Sequence, residues 1–299
     1  MRTLRTVAEV RAAVAPARRL HQRIGLVPTM GAFHDGHLSL MRRARADCDL
    51  VVVSLFINPA QFNEPTDLDT YPRDEARDAR LAAQAGVDYL FAPPVDEMYP
   101  PGFATTVVVR GVSEPLEGAH RGRAHFDAVA TVVLKLLGIV TPDVAYFGAK
   151  DAQQLLVIRR LVTDLNMPVA IQACDTVRDP DGLALSSRNA RLSAEERRRA
   201  LSLNRALAVA EEAIVAGERD PQAVRARALA VLDAGGVQTD YFELADPTTL
   251  APLRVLDAPV LALVAARVGA VRLIDNRLVE VTGAADPRPT EDLACSERC

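Results

Sequence analysis

Six short runs of β-branched, aliphatic and aromatic residues, RIGLVPT, CDLVVVSLFIN, VDYLFAP, TTVVVRG, VAYFGAK and PVAIQACDTV, recur between residues 23 and 177 with helix-period segments between them. Their apolar content is nearly continuous, the pattern of strands covered on both faces. A parallel neighbour is reached only through a crossover, so this alternation demands a parallel sheet with helices on its faces. The expected fold is α/β, a Rossmann-like doubly wound sheet over residues 1–175. In such sheets ligands settle beyond the carboxyl ends of the strands, which makes the residues after each run the candidates for chemistry.

Past residue 176 the pattern changes. Ser193 with Glu196 three positions later forms a capping box that opens a long amphipathic segment. A second helix, roughly QAVRARALAVLDAG, follows, and then QTDYFELAD, PVLALVAARV and AVRLIDNRLV read as strands, the last two joined through a Gly-bearing turn. The reading is a second, smaller α+β domain over 176–282 that closes over the site. Residues 283–299, polar and without periodicity, read as a flexible tail.

Lys and Arg number 35 against 39 acidic residues, so the net charge of -4 offers no overall field for a phosphate backbone. Aromatics are only 4% and Trp is absent, which removes stacking surface for single strands. Nucleic acid is not an expected partner. The charged N-terminus does not read as a signal peptide, and VATVVLKLLGIV is too short to span a bilayer and holds Lys135. Scattered cysteines fit a reduced protein. The expectation is a cytoplasmic protein with no membrane partner.

The sharpest signal is VPTMGAFHDGHLSL, residues 27–40, where a strand breaks at Pro28, turns through Gly31 and Gly36 and enters a helix. Such a turn aims backbone N–H groups at an anion. The glycine spacing suggests a P-loop, but His37 and Leu38 stand where that loop needs Lys and Ser or Thr. His34 and His37, at i and i+3, can instead donate side-chain N–H groups to phosphate. FINPAQF follows the next run with Asn58 and Gln61, FGAKD places Gly148 and Lys150 at a strand end, and VRDPDGLALSSRNARLS offers hydroxyls and a guanidinium.

The His-x-Gly-His pattern resembles the phosphate-binding motif of the adenylyl-transferring superfamily that includes class I aminoacyl-tRNA synthetases. FINPAQF, YPR at 71–73, HFDAVATVVLKLLGIVTPDVAYFGAKDAQQL and the SSRN loop are similar to segments of the pantothenate synthetase (pantoate beta-alanine ligase) family. The likeness runs from about residue 24 to 280. It implies that Met30, Gly31, Ala32, Phe33, His34, Asp35, Gly36 and His37 contact ATP. The same is implied for Gly148, Ala149, Lys150, Asp151 and Val177, and for Leu185, Ser186, Ser187 and Arg188. Gln61, Gln154, Met30 and Asn58 are implied to bind pantoate or beta-alanine, and His34, His37, Lys150 and Arg188 to be catalytic. Leu185 stands where Met is usual, Ala149 where Glu is usual and Ala152 where an aromatic is usual.

The activity so implied joins pantoate to beta-alanine at the expense of ATP, through a pantoyl adenylate, in a homodimer. Mg2+ would be carried by the ATP phosphates, with no protein ligand assigned. Two rivals remain at this point: a nucleotidylyltransferase that leaves AMP on its product, and a nucleotide-sensing module without turnover.

Overall fold

The computed structural model describes residues 1–62 and 68–281. The expected tail, with Cys295 and Cys299, lies outside them. Among the described residues a six-stranded, all-parallel sheet has the order β1-β4-β3-β2-β5-β6. Its strands are β1 (Arg2–Leu4), β2 (Ile24–Thr29), β3 (Leu50–Leu55), β4 (Tyr89–Phe91), β5 (Val144–Gly148) and β6 (Ala170–Cys174). Residues alternate between the two faces: Leu26 and Val52 pack on one side, Val27, Val51 and Val53 on the other. Both sides are apolar because helices cover both, which is why the runs read as continuous.

From β2 the chain moves outward through β3 to β4, then returns to start β5 on the opposite side of β2. The carboxyl ends of β2 and β5 therefore flank the point where the winding reverses, the position at which open α/β sheets bind ligands. Two sequence expectations change here. TTVVVRG is not a strand; it lies outside any ladder, Val107 N–H donating to Thr131 Oγ1 at 2.9 Å while Val109 packs on Phe126, Ala130, Val157 and Leu161. Helix packing, not strand pairing, consumes its apolar side chains. Strand β2 does not break at Pro28, which stays in register with Ser54. Its pairing with β5 covers only Gly25 and Leu26, so the missing N–H interrupts no ladder bond on that side.

The remaining strands, β7 (Gln238–Ala245), β8 (Val260–Val268) and β9 (Val271–Val279), form the expected antiparallel sheet. It packs on two long helices, Ala194–Val215 and Pro221–Ala234, around its own core of Leu203, Leu207, Phe242, Ala262 and Val264. The Ser193 capping box is present: Glu196 N–H donates to Ser193 Oγ at 3.2 Å and Ser193 N–H to Glu196 Oε2 at 2.8 Å. No helix among the described residues is long and apolar enough to cross a membrane.

Candidate active site

The helix Asp35–Asp47 begins a short turn after β2, with His34 as its N-cap. His34 Nδ1 accepts from Gly36 N–H at 3.2 Å, and His37 Nδ1 accepts from His34 N–H at 3.4 Å. The two imidazoles thus replace the Ser and Glu of an ordinary capping box. Their ring centroids lie 4.2 Å apart. Burial first, then the neighbouring His34 charge, depresses the His37 pKa to about 3. Burial and then Lys150 lower that of His34. Both rings are neutral at pH 7, and because each Nδ1 accepts, each proton sits on Nε2. The result is a pair of adjacent imidazole donors that carry no mutual charge repulsion.

The backbone amides of the turn do not serve as the sequence suggests. Gly31 and Ala32 have φ of 87° and 53°, and this curl delivers Ala32 N–H and Phe33 N–H to the carboxylate of Asp78 at 2.7 and 2.8 Å. Asp78 is 1% exposed. A protein carboxylate already occupies the anion position of that turn, which leaves the two imidazoles as the donors facing the cavity.

A cavity of about 720 Å³ opens here, within the size range of small-molecule sites. Met30, His34, Gly36, His37, Asn58, Gln61, Gly148, Lys150, Asp151 and Gln154 line it, as do Val177, Leu185, Ser186, Ser187 and Arg188. Gly31, Ala32, Phe33, Asp35 and Ala149 are outside the lining. Asn58 lines it but has little left to offer a ligand. Its Nδ2 donates to Gln61 Oε1 at 3.1 Å and to Ala128 O at 3.3 Å, while Oδ1 accepts from Tyr99 at 2.9 Å and from Ala60 N–H at 3.3 Å. It orients Gln61, whose Nε2 rests 2.9 Å from Met30 Sδ.

Lys150 follows β5, with Nζ 3.7 Å from Asp151 Oδ1. Its backbone is fixed from the second sheet, since Asn276 of β9 donates to Ala149 O at 2.9 Å and Lys150 O at 2.7 Å. The neighbouring Asp275 receives both ends of the Arg178 guanidinium at 2.6 and 3.0 Å, which seats the 177–193 loop. That loop folds back through an Arg178–Ala184 bridge, and Asn189 Nδ2 ties it to Ala184 O at 2.9 Å. Tyr71, in the YPR segment, hydrogen-bonds Ser187; burial nevertheless raises its pKa. Sequence reasoning missed Asp78, Asn276, Asp275 and Arg178, because each acts on backbone or on another side chain; Arg178 sits inside the VRDPDGLALSSRNARLS segment, but nothing local shows its partner Asp275. It also missed His125, Arg121, Glu117 and Arg272, which line the far wall.

A doubly wound sheet whose reversal point gathers imidazole, ammonium, hydroxyl and guanidinium donors places the chain among the nucleotide-binding α/β enzymes. The model of the pantoate-beta-alanine ligase family matches residues 2–278. Pantothenate synthetases from Cereibacter sphaeroides and Roseiflexus castenholzii are 58% and 52% identical, over 91% and 94% of this chain and 98% and 100% of theirs. The crystal structure of the pantothenate synthetase from Thermus thermophilus superposes with a TM-score of 0.88 at 48% identity, covering 93% of this chain and 99% of that one. A Francisella tularensis pantoate-beta-alanine ligase, solved with beta-gamma ATP and beta-alanine, gives 0.76 at 33% identity over 93% and 97%. The chain belongs to the pantoate-beta-alanine ligase family.

Proposed function

We propose that this chain condenses pantoate with beta-alanine, converting ATP to AMP and pyrophosphate through an enzyme-bound pantoyl adenylate. The observation that carries the reading is the shared cavity in which His34, His37, Lys150 and the Ser186–Arg188 segment face Gln61 and Gln154. A carboxylate is already nucleophilic at neutral pH, so attack on the α-phosphorus needs alignment and charge neutralisation rather than a base. The two Nε2–H donors, the Lys150 ammonium and the Arg188 guanidinium meet the charge that develops on the departing pyrophosphate. Gln61, with its amide orientation set by Asn58, and Gln154 hold the acid against the nucleotide. Magnesium enters as part of the substrate MgATP; Asp151, 3.7 Å from Lys150 Nζ, would offer it a hard oxygen donor in the cavity. It would supply charge shielding between phosphate oxygens.

We assign residues 1–175 to holding ATP and pantoate, and 176–282 to covering them, since β9 grips both the Lys150 turn and the 177–193 loop. Cover keeps water from the mixed anhydride. The compartment we infer is the cytoplasm, and the assembly a homodimer. Sedimentation at micromolar concentration should give twice the 32.3 kDa chain mass, and a monomeric species alone overturns that assignment.

ATP–pyrophosphate exchange tests the chemistry directly. It should require pantoate and proceed without beta-alanine. An acid quench of enzyme with MgATP and pantoate should release about one AMP-linked pantoate per site, as a sequestered intermediate demands. A nucleotidylyltransferase would leave AMP on its final product, whereas this reaction frees AMP and forms an amide. If AMP-linked pantoate forms only after beta-alanine is added, the two-step route is wrong.

A further inference from the structure

The chain has five histidines, and three of them, His34, His37 and His125, combine substantial burial with a place in the cavity wall. The first two accept hydrogen bonds through Nδ1 and present Nε2–H to the cavity. His125, in the first turn of the helix Arg123–Val140, is wired the other way. Its Nδ1 lies 2.9 Å from the carbonyl oxygen of Gln61, and a carbonyl only accepts, so the Nδ1 proton donates. The neutral ring therefore has its lone pair on Nε2, which has no protein partner among the described residues. Phe126 packs edge-on against the ring at 5.1 Å and holds its plane.

The ring stands beside Gln61 in the cavity wall. Several other lining groups are committed elsewhere or can only donate. Lys150 is an ammonium, and His34 and His37 offer donors. Glu117 is held by Arg272 and Arg121, and Asp275 by Arg178. We propose that His125 is the base of the amide-forming step, accepting the proton that the amine of beta-alanine sheds as its nitrogen bonds to the activated carbonyl.

The assignment rests on the pantoyl adenylate reading. In the step it describes, the neutral amine forms the C–N bond and the C–O bond to phosphate breaks. The electron pair leaves with AMP, already an anion that needs no proton. The nitrogen-bound proton passes to His125 Nε2 and from there to water. Burial first, then the Arg121 charge, lowers the His125 pKa, with Arg188 acting in the same sense; the bond to Gln61 O and the Glu117 carboxylate oppose them. The ring is therefore in its unprotonated, accepting form at neutral pH.

The test uses the full chain carrying His125→Asn, because the Asn Nδ2 can keep the bond to Gln61 O while the Nε2 lone pair is gone. Pantoate-dependent ATP–pyrophosphate exchange should stay within about threefold of wild type, since the first step does not use this group. Single-turnover transfer of preformed adenylate to beta-alanine should fall by about 100-fold or more, the usual scale of a lost general base. Hydroxylamine, a weakly basic amine that is neutral at pH 7, should capture the adenylate at similar rates in both proteins. Transfer to beta-alanine at the wild-type rate overturns the proposal. So does equal slowing with both amines, which would mark a structural role. Absence of exchange in the wild-type protein overturns the adenylate reading and this assignment with it.

Discussion

Replacing Lys150 with alanine should lower turnover by about 100-fold or more while leaving stability within about 0.5 kcal/mol of wild type. The Lys150 side chain is 18% exposed, and its ion pair among the described residues is a 3.7 Å contact with the half-exposed carboxylate of Asp151. Such a pair contributes little to folding. What Lys150 has instead is position. It sits at the carboxyl end of β5, beside β2 in the sheet, with its backbone carbonyl clamped by Asn276 at 2.7 Å. In the proposed reaction a fixed ammonium would act where charge accumulates, on the departing pyrophosphate, so its loss should fall on kcat rather than on KM alone. Steady-state kinetics with urea unfolding of the same samples separates the two effects. Turnover within about twofold of wild type, less than about 0.5 kcal/mol in barrier, removes Lys150 from the chemistry.

The grouping of His34, His37 and Lys150 in one cavity was readable from the sequence because each piece follows a strand. His34 and His37 follow β2, and Lys150 follows β5; the parallel-sheet pattern alone brings those ends together. The second sheet was equally legible, since its β-rich runs follow one another without helices between and its hairpin turns at Gly269. One strand reading failed and one strand was overlooked. TTVVVRG has the composition of a strand, but a strand also needs a partner, and its apolar residues found helices first. The three residues of β1 carry too little pattern to stand out, and only pairing with β4 reveals them. The turn amides were misjudged because nothing local indicates that Asp78, more than forty positions on, is buried against them. The far wall was invisible for the same reason. Glu117, Tyr241 and Arg272 are separated by as many as 155 positions and meet only in three dimensions.

That meeting supports the second large effect. Glu117 to glutamine should destabilise the protein by about 3 kcal/mol at pH 7, the scale of breaking a buried charge pair. Both Glu117 oxygens are committed: Arg272 donates two bonds at 2.7 and 2.8 Å, Arg121 one at 2.9 Å, and the Tyr241 hydroxyl another at 2.9 Å. Arg272 also holds Asp240 at 2.6 Å. The cluster joins the short helix Glu117–Arg121 to β7 and β9, across the wall between the two sheets. Burial alone would raise the Glu117 pKa, but hydrogen bonding and charge from Arg272, followed by Arg121, bring it down to about 2 from 4.5. A carboxyl depressed by folding stabilises the protein fully above its unfolded value, and the contribution is lost as pH falls through the folded one. Wild-type stability should therefore drop between about pH 4.5 and about pH 2 by roughly 3 kcal/mol from this group, a component that Glu117→Gln lacks. Urea midpoints of the two proteins should differ widely at pH 7 and converge toward pH 2. Parallel curves across that range would mean that the Glu117 carboxylate does not hold the two sheets together. Tyr241→Phe, which removes one hydrogen bond to the Glu117 carboxylate and no charge, should cost less, about 2 kcal/mol.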